Sequence, residues 1–355
     1  MLVADRYRLD AVIGRGGMGE VWRAHDEVLG RPVAVKLLLN DTADASAEAR
    51  FRLEAQTSAR LHHPHVVGTL DFGARDGRCF LVMELIDGDS LAGELASGGP
   101  LAPERLAQVA QQAAEGLAAA HAQGIVHRDI KPGNLLSDRA GVIRIGDFGI
   151  ARFVDDPSAG LTTTGQIVGT GLYLAPERAI GTPASAASDL YSLGCVLYQL
   201  AVGRPPFESQ TATMLLYQHV DAVPVPPHQR GAALPPAFEA YLLSMLAKRP
   251  EERPTARQAA DWFRSGAWRG APAPLPPEQR GARPALHPAS DALPAPRPRH
   301  GAASTAAPVL DSGWNTTVHR VPPRRTGLRG DSRLIVLVGG AVLFVTALLL
   351  GMALF

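Results

Sequence analysis

The sequence predicts an α+β domain that runs into an unstructured linker and ends in one membrane-spanning helix, on three observations. Short apolar runs with the character of strands open the chain, a segment of helical composition follows them, and the last stretch, Leu334 to Phe355, carries no charge. A length of 355 residues accommodates one large domain plus a tail. With 35 Lys and Arg against 34 Asp and Glu, the near-neutral balance gives no general case for nucleic-acid binding.

The first element is a glycine hairpin. Tyr7 to Ile13 and Val21 to Ala24 flank Gly14-Arg15-Gly16-Gly17-Met18-Gly19-Glu20-Val21, which therefore reads as strand-loop-strand, not the strand-loop-helix of a dinucleotide fold. Alone the pattern is weak, because roughly one chain in three of this glycine content carries G-x-G-x-x-G by chance and a plain hairpin turn would serve as well. Such a loop can lay backbone N–H groups over phosphates without side-chain obstruction. Val33-Ala34-Val35-Lys36 follows as a strand whose alternation sends Ala34 and Lys36 to one face. Lys36 can then reach phosphates under the loop. Ala43 to Leu61 has helical composition and holds Glu54 at a separation that lets it pair with Lys36. Glu48 competes for that role, but Phe51, Ala55 and Ser58 recur at helical spacing beside Glu54, and His63-Pro64 ends the helix.

The run His127-Arg128-Asp129-Ile130-Lys131-Pro132-Gly133-Asn134, followed by Asp147-Phe148-Gly149, carries the chemistry. His-Arg-Asp with Asn five residues after the Asp arises by chance on the order of 10⁻⁶ per position. The spacing assigns roles. Asp129 is placed to accept the proton of an attacking hydroxyl, while Asn134 and Asp147 offer oxygen ligands to Mg2+ on the phosphates of ATP.

With these motifs in order, residues 5 to 268 resemble the bacterial, eukaryotic-like (Hanks-type) serine/threonine protein kinases. The resemblance implies a two-lobed protein kinase fold over residues 1–268, with a β-rich N-lobe to about 86, a hinge, and a helical C-lobe over 87–268. It implies Met83 at the gatekeeper position, Glu84 to Ile86 as the hinge, Val21, Ala34 and Leu136 around adenine, and Ile13, Gly14, Gly16 and Gly19 completing the ATP site. Lys131 would neutralise charge on the transferring phosphoryl group. Gly169-Thr170 and Ala175-Pro176-Glu177 look like the segment that shapes a peptide groove, with Thr170 structural and near Asp129. Glu177 would pair with Arg253, and Asp189 would hold the catalytic loop, an ordinary helix N-cap being the simpler and compatible reading. Arg128 marks kinases whose basic pocket receives a phosphate from the activation loop. The expectation is autophosphorylation in trans at Thr162 and Thr164, with Thr163 secondary, in a kinase-domain homodimer.

The cofactors implied are ATP and Mg2+, with Mn2+ an alternative, and the substrates are proteins with Ser or Thr acceptors. A membrane-tethered pseudokinase scaffold is the rival reading; it predicts loss of Lys36, Asp129 or Asp147, and none is lost. A small-molecule phosphotransferase would lack the peptide-groove segment.

Residues 269–333 are rich in Pro, Ala and Arg with no sustained period, which predicts a disordered, proline-stiffened tether. Residues 334–355 would span about 33 Å as a helix, close to the ~30 Å hydrocarbon core of a bilayer. Arg320, Arg324, Arg325, Arg329 and Arg333 all precede that segment, so the kinase domain is expected in the cytoplasm, with the C-terminus at or just beyond the outer face of the cell membrane. No apolar signal segment opens the chain, and no extracellular ligand domain is expected after Phe355. Cys79 and Cys195 lie in apolar stretches and read as reduced core residues. The eleven histidines show no ligand spacing, so no zinc site is expected.

Overall fold

The computed structural model describes residues 1–16, 19–38, 45–75, 78–148 and 171–270, the side chains of 45–50, 54 and 75 excepted. Its N-terminal part is a six-stranded antiparallel sheet built from β1 (Leu2–Val3), β2 (Tyr7–Gly16), β3 (Gly19–Asp26), β4 (Arg31–Leu38), β5 (Thr69–Arg75) and β6 (Arg78–Met83), in the order β1-β2-β3-β4-β6-β5. The helix α1 (Ala45–Ala59) enters the chain between β4 and β5.

Period two sorts the strand residues into two cores. Ala34 and Leu38 of β4 join Cys79, Leu81 and Met83 of β6 against Phe51 and Ala55 of α1. The intervening Val33 and Val35 join Phe80 and Val82 against Tyr7, Leu9 and Ala24 on the opposite face. Both faces of β4 are covered, which is why it carries the apolar run Val33-Ala34-Val35 and why Lys36, on the α1 side, is only 5% exposed. The β2–β3 hairpin requires glycine at one position above all. Gly19 has φ +150°, and a Cβ there would lie 2.0 Å from the Leu37 carbonyl oxygen.

Past Met83 the chain makes a small sheet, β7 (Gly88–Ser90), β8 (Leu135–Asp138) and β9 (Ile143–Ile145), and a set of helices: α2 (Leu91–Gly98), α3 (Pro103–His121), α4 (Pro176–Ala179), α5 (Ala186–Val202), α6 (Ala212–Asp221), α7 (Pro236–Met245) and α8 (Ala256–Arg264). Of these α5 is apolar on nearly every side, from Leu190 to Ala201, and it lies at the centre of the large core with α3, α7 and α8 around it. It starts at a capping box between Ser185 and Ser188 and stops at Gly203, whose φ of 87° closes the helix in the left-handed conformation. α3 is rich in Ala, and at Gly116 it meets the loop between α1 and β5 so closely that a Cβ would lie 2.6 Å from the His65 carbonyl oxygen. Cys79 and Cys195 are both free and buried. Among the described residues no helix is long and apolar enough to cross a membrane; the segment 334–355 lies outside them.

Candidate active site

The β8–β9 hairpin places two of the candidate ligands side by side. Leu135 pairs with Ile145, and the Gly146 N–H donates to the Asn134 carbonyl at 2.8 Å, so Asn134 enters the hairpin where Asp147 leaves it. Between α3 and β8 the catalytic loop carries Arg128 at φ +73°, and Asp147 itself has φ +61°. L-residues adopt this region at a cost of roughly 1–3 kcal/mol and do so chiefly at functional sites. The loop is held from below. Asp189 accepts the backbone N–H of His127 at 2.8 Å and that of Arg128 at 2.8 Å, and its Oδ2 lies 2.8 Å from His121 Nε2. His127 is fully buried, takes the Asp129 N–H on Nδ1 at 3.2 Å, meets the Gly146 carbonyl through Nε2 at 2.8 Å, and packs edge-on against Phe148.

On this frame Asp129, Lys131 and Asn134 converge. Asp129 Oδ2 accepts from Lys131 Nζ at 2.6 Å and from Asn134 Nδ2 at 3.2 Å, and the same amide nitrogen donates to the Asp129 carbonyl at 2.7 Å. Among the described residues, both side-chain bonds to the Asp129 carboxylate fall on Oδ2. With its nitrogen committed, Asn134 can offer only its amide oxygen to a cation. The Asn134 oxygen and the Asp147 carboxylate form a hard, all-oxygen donor pair of the kind Mg2+ takes. Across the cleft Lys36 Nζ lies 2.9 Å from Asp147 Oδ2.

The α1-facing core gathers residues distant in sequence. Ala34 and Met83 are buried in the α1-facing core, and Val21, Ile86 and Leu136 pack against it half-buried. Glu84 is exposed, and its N–H is bound to the Gly68 carbonyl at 2.9 Å. Gly14 pairs with Val21 and Gly16 with Gly19 in the hairpin. Ile13, on β2, is 50% exposed. Among the described residues Lys36 meets Asp147; the side chains of Glu54 and Glu48, on α1, lie outside the described set, as do Gly149, Thr162, Thr163, Thr164 and Thr170.

Farther out, Glu177 receives both terminal nitrogens of Arg253 at 2.8 Å each and the Ser188 hydroxyl at 2.7 Å. Burial by itself would raise the Glu177 pKa, but the Arg253 and Ser188 hydrogen bonds outweigh it and hold the carboxyl below its usual range. The N-cap reading of Asp189 is corrected here. Ser185 caps α5, and Asp189, four residues on, turns its 1%-exposed carboxylate toward the catalytic loop instead. Sequence reasoning also missed two histidines. His121 reaches Asp189, and His65 bridges the Ile143 carbonyl at 2.8 Å and Glu115 at 3.1 Å, which Arg264 also contacts at 2.6 Å. Both links join residues far apart in the chain and leave no local pattern.

A family model for the protein kinase domain matches residues 7–263, and the chain belongs to that family. It is 42% identical over 271 residues to a probable serine/threonine-protein kinase of Corynebacterium efficiens, covering 73% of this chain and 41% of the relative. It is 40% identical over 311 residues to the serine/threonine-protein kinase PknB of Mycolicibacterium smegmatis (83% and 50%), and 42% identical over 256 residues to PknB of Mycobacterium tuberculosis (71% and 41%). The chain thus spans half or less of the length of these curated relatives.

Proposed function

We propose that this chain is a serine/threonine protein kinase that transfers the γ-phosphoryl group of ATP directly to a Ser or Thr hydroxyl. The observation that carries the reading is the convergence of Lys131 and Asn134 on one oxygen of Asp129, with the Lys36–Asp147 pair opposite. Asp129 orients the acceptor hydroxyl and takes its proton as the oxygen attacks. Lys131 offsets charge on the group in transfer, and Lys36 positions the nucleotide. Asn134 and Asp147 would hold Mg2+, which when bound neutralises phosphate charge. The apolar surface of Val21, Ala34, Met83 and Leu136 would receive adenine. Asp189 and the Glu177–Arg253 pair are positioning elements.

The organisation proposed is a kinase domain over 1–268, a tether over 269–333 and a membrane helix over 334–355. The charge pattern of the tether supports a cytoplasmic kinase domain. Confinement in the membrane raises the effective concentration of kinase domains and favours phosphorylation in trans at Thr162 and Thr164. The test is to incubate the full-length chain in bilayers with Mg-ATP and map phosphate by mass spectrometry. Modification at Thr162 or Thr164 is the expected result. Absence of phosphate on the chain and on any added protein, from folded material that binds Mg-ATP, would refute the reading in favour of a scaffold.

A further inference from the structure

His65, in the loop between α1 and β5, joins four parts of the chain. Its ring Nδ1 lies 2.8 Å from the Ile143 carbonyl oxygen on β9, and its Nε2 lies 3.1 Å from Glu115 Oε2 on α3. Glu115 Oε1 in turn receives Gln111 at 3.1 Å and Arg264 of α8 at 2.6 Å. The His65 carbonyl accepts the Ile145 N–H at 3.0 Å, and the Ile145 carbonyl accepts the Val67 N–H at 2.9 Å. Ile143 also gives its own N–H to Gln112 Oε1 at 2.7 Å, so β9 is fastened both to the loop and to α3. The junction is tight, since a Cβ on Gly116 would meet Ile145 Cδ1 at 3.0 Å.

Both partners of the ring are acceptors. A carbonyl oxygen has no proton to give, and Glu115 is a carboxylate: burial would raise its pKa, but hydrogen bonds from Gln111 and Arg264 and the charges of Arg264 and His65 hold it below its usual value. A neutral imidazole has one N–H and serves only one of the two acceptors, whereas the imidazolium serves both. The other groups around the ring leave this count unchanged. His63 accepts the His65 backbone N–H on Nδ1 at 3.2 Å, and burial together with the adjacent His65 charge lowers its pKa. Arg264 is shared with Asp261, and Arg144 of β9 is turned to Asp138.

We infer that His65 is a proton-dependent positioning residue for phosphoryl transfer: as imidazolium it pins β9 to α3, and release of one ring proton to water undoes one of the two bonds. Histidine is the side chain that changes charge near neutral pH, and this one is 12% exposed, enough to exchange its proton with solvent. Asp147 follows the end of β9 by two residues, so slack in β9 passes to the carboxylate that faces Lys36. The consequence for turnover rests on the kinase reading of the Asp129 site; the proton dependence of the pin does not.

The test compares full-length wild type with His65→Gln and Glu115→Gln at pH 6 and at pH 8.5. Two quantities are read at each pH: hydrogen–deuterium exchange of the segment 143–147, and the initial rate of autophosphorylation with Mg-ATP. Taking every variant relative to wild type at the same pH cancels the intrinsic pH dependence of exchange and of the chemistry. His65→Gln should exchange about tenfold faster than wild type at pH 6 and less than about threefold faster at pH 8.5. In Glu115→Gln the amide oxygen stays on Arg264 and the amide nitrogen turns to His65, where a neutral ring accepts it. Glu115→Gln should therefore be protected at least as well as wild type at pH 8.5 and less well at pH 6, and the phosphorylation rates should follow the same pattern. A ratio of wild type to His65→Gln that is equal at both pH values, or a Glu115→Gln less protected than wild type at pH 8.5, would overturn the pin and leave the kinase reading standing. The expected exchange pattern without phosphate on any form would overturn the positioning role together with the kinase reading.

Discussion

Arg253 is the most fully coordinated charge among the described residues, and its removal gives a large, measurable effect. Its side chain is 0% exposed, and all five N–H donors are used: two on Glu177, and one each on the carbonyls of Ala187, Ala247 and Lys248, between 2.8 and 2.9 Å. The guanidinium also lies over the Tyr191 ring at 4.9 Å. Arg253→Met leaves the Glu177 carboxylate without its countercharge and three carbonyls without a donor. Breaking one side of a buried pair costs about 3–5 kcal/mol. Since a domain has roughly 5–15 kcal/mol to lose, Arg253→Met should remove about a fifth or more of the stability. The assay is equilibrium urea unfolding followed by tryptophan fluorescence, with Glu177→Leu and the double variant completing a cycle. The double variant removes both charges together and should be less destabilised than the sum of the singles by at least about 2 kcal/mol. A loss below about 1 kcal/mol for Arg253→Met, or strict additivity in the cycle, would refute the reasoning.

Two other outcomes follow from the same structure. Asp189→Ala strips the acceptor from the N–H groups of His127 and Arg128, each costing about 1–3 kcal/mol when buried unpaired, and frees a loop held at positive φ. Turnover should fall at least tenfold with the KM for ATP little changed; kinetics equal to wild type would remove Asp189 from its positioning role. His219 is fully buried, bonded through Nδ1 to the Tyr191 hydroxyl, and burial with the nearby Lys248 charge lowers its pKa to about 4. The unfolded imidazole takes a proton near pH 6.5 and the folded one only near 4, so the unfolded state binds more protons in between. Stability is therefore lost as pH falls through that window, by up to about 3 kcal/mol. Urea midpoints between pH 7 and 4 should decline less steeply in His219→Gln; an identical decline would contradict this.

The parts of the site that were legible in the sequence are those made by near neighbours. Asp129, Lys131 and Asn134 meet because they are two and five residues apart in one loop, and the strand alternation around Lys36 fixes its face. The resemblance put Asp189 at the catalytic loop, where its carboxylate meets the N–H groups of His127 and Arg128; what the spacing did not show is that Ser185, not Asp189, caps the helix. Ser185 and Ser188 already form a capping box, so the helix begins earlier, and the target of the carboxylate lies some sixty residues upstream. The His65–Glu115–Arg264 link and the His121–Asp189 contact depend on how helices pack, which no local spacing encodes.

The central claim is that Asp129 acts on the acceptor hydroxyl. The measurement that tests it most directly is single-turnover phosphoryl transfer by Asp129→Asn alongside its affinity for Mg-ATP. Asn keeps the size of the side chain and an oxygen toward Lys131, but it cannot accept the proton. The account predicts turnover reduced by about 10²-fold or more with Mg-ATP affinity within threefold of wild type. Turnover within tenfold of wild type would contradict it.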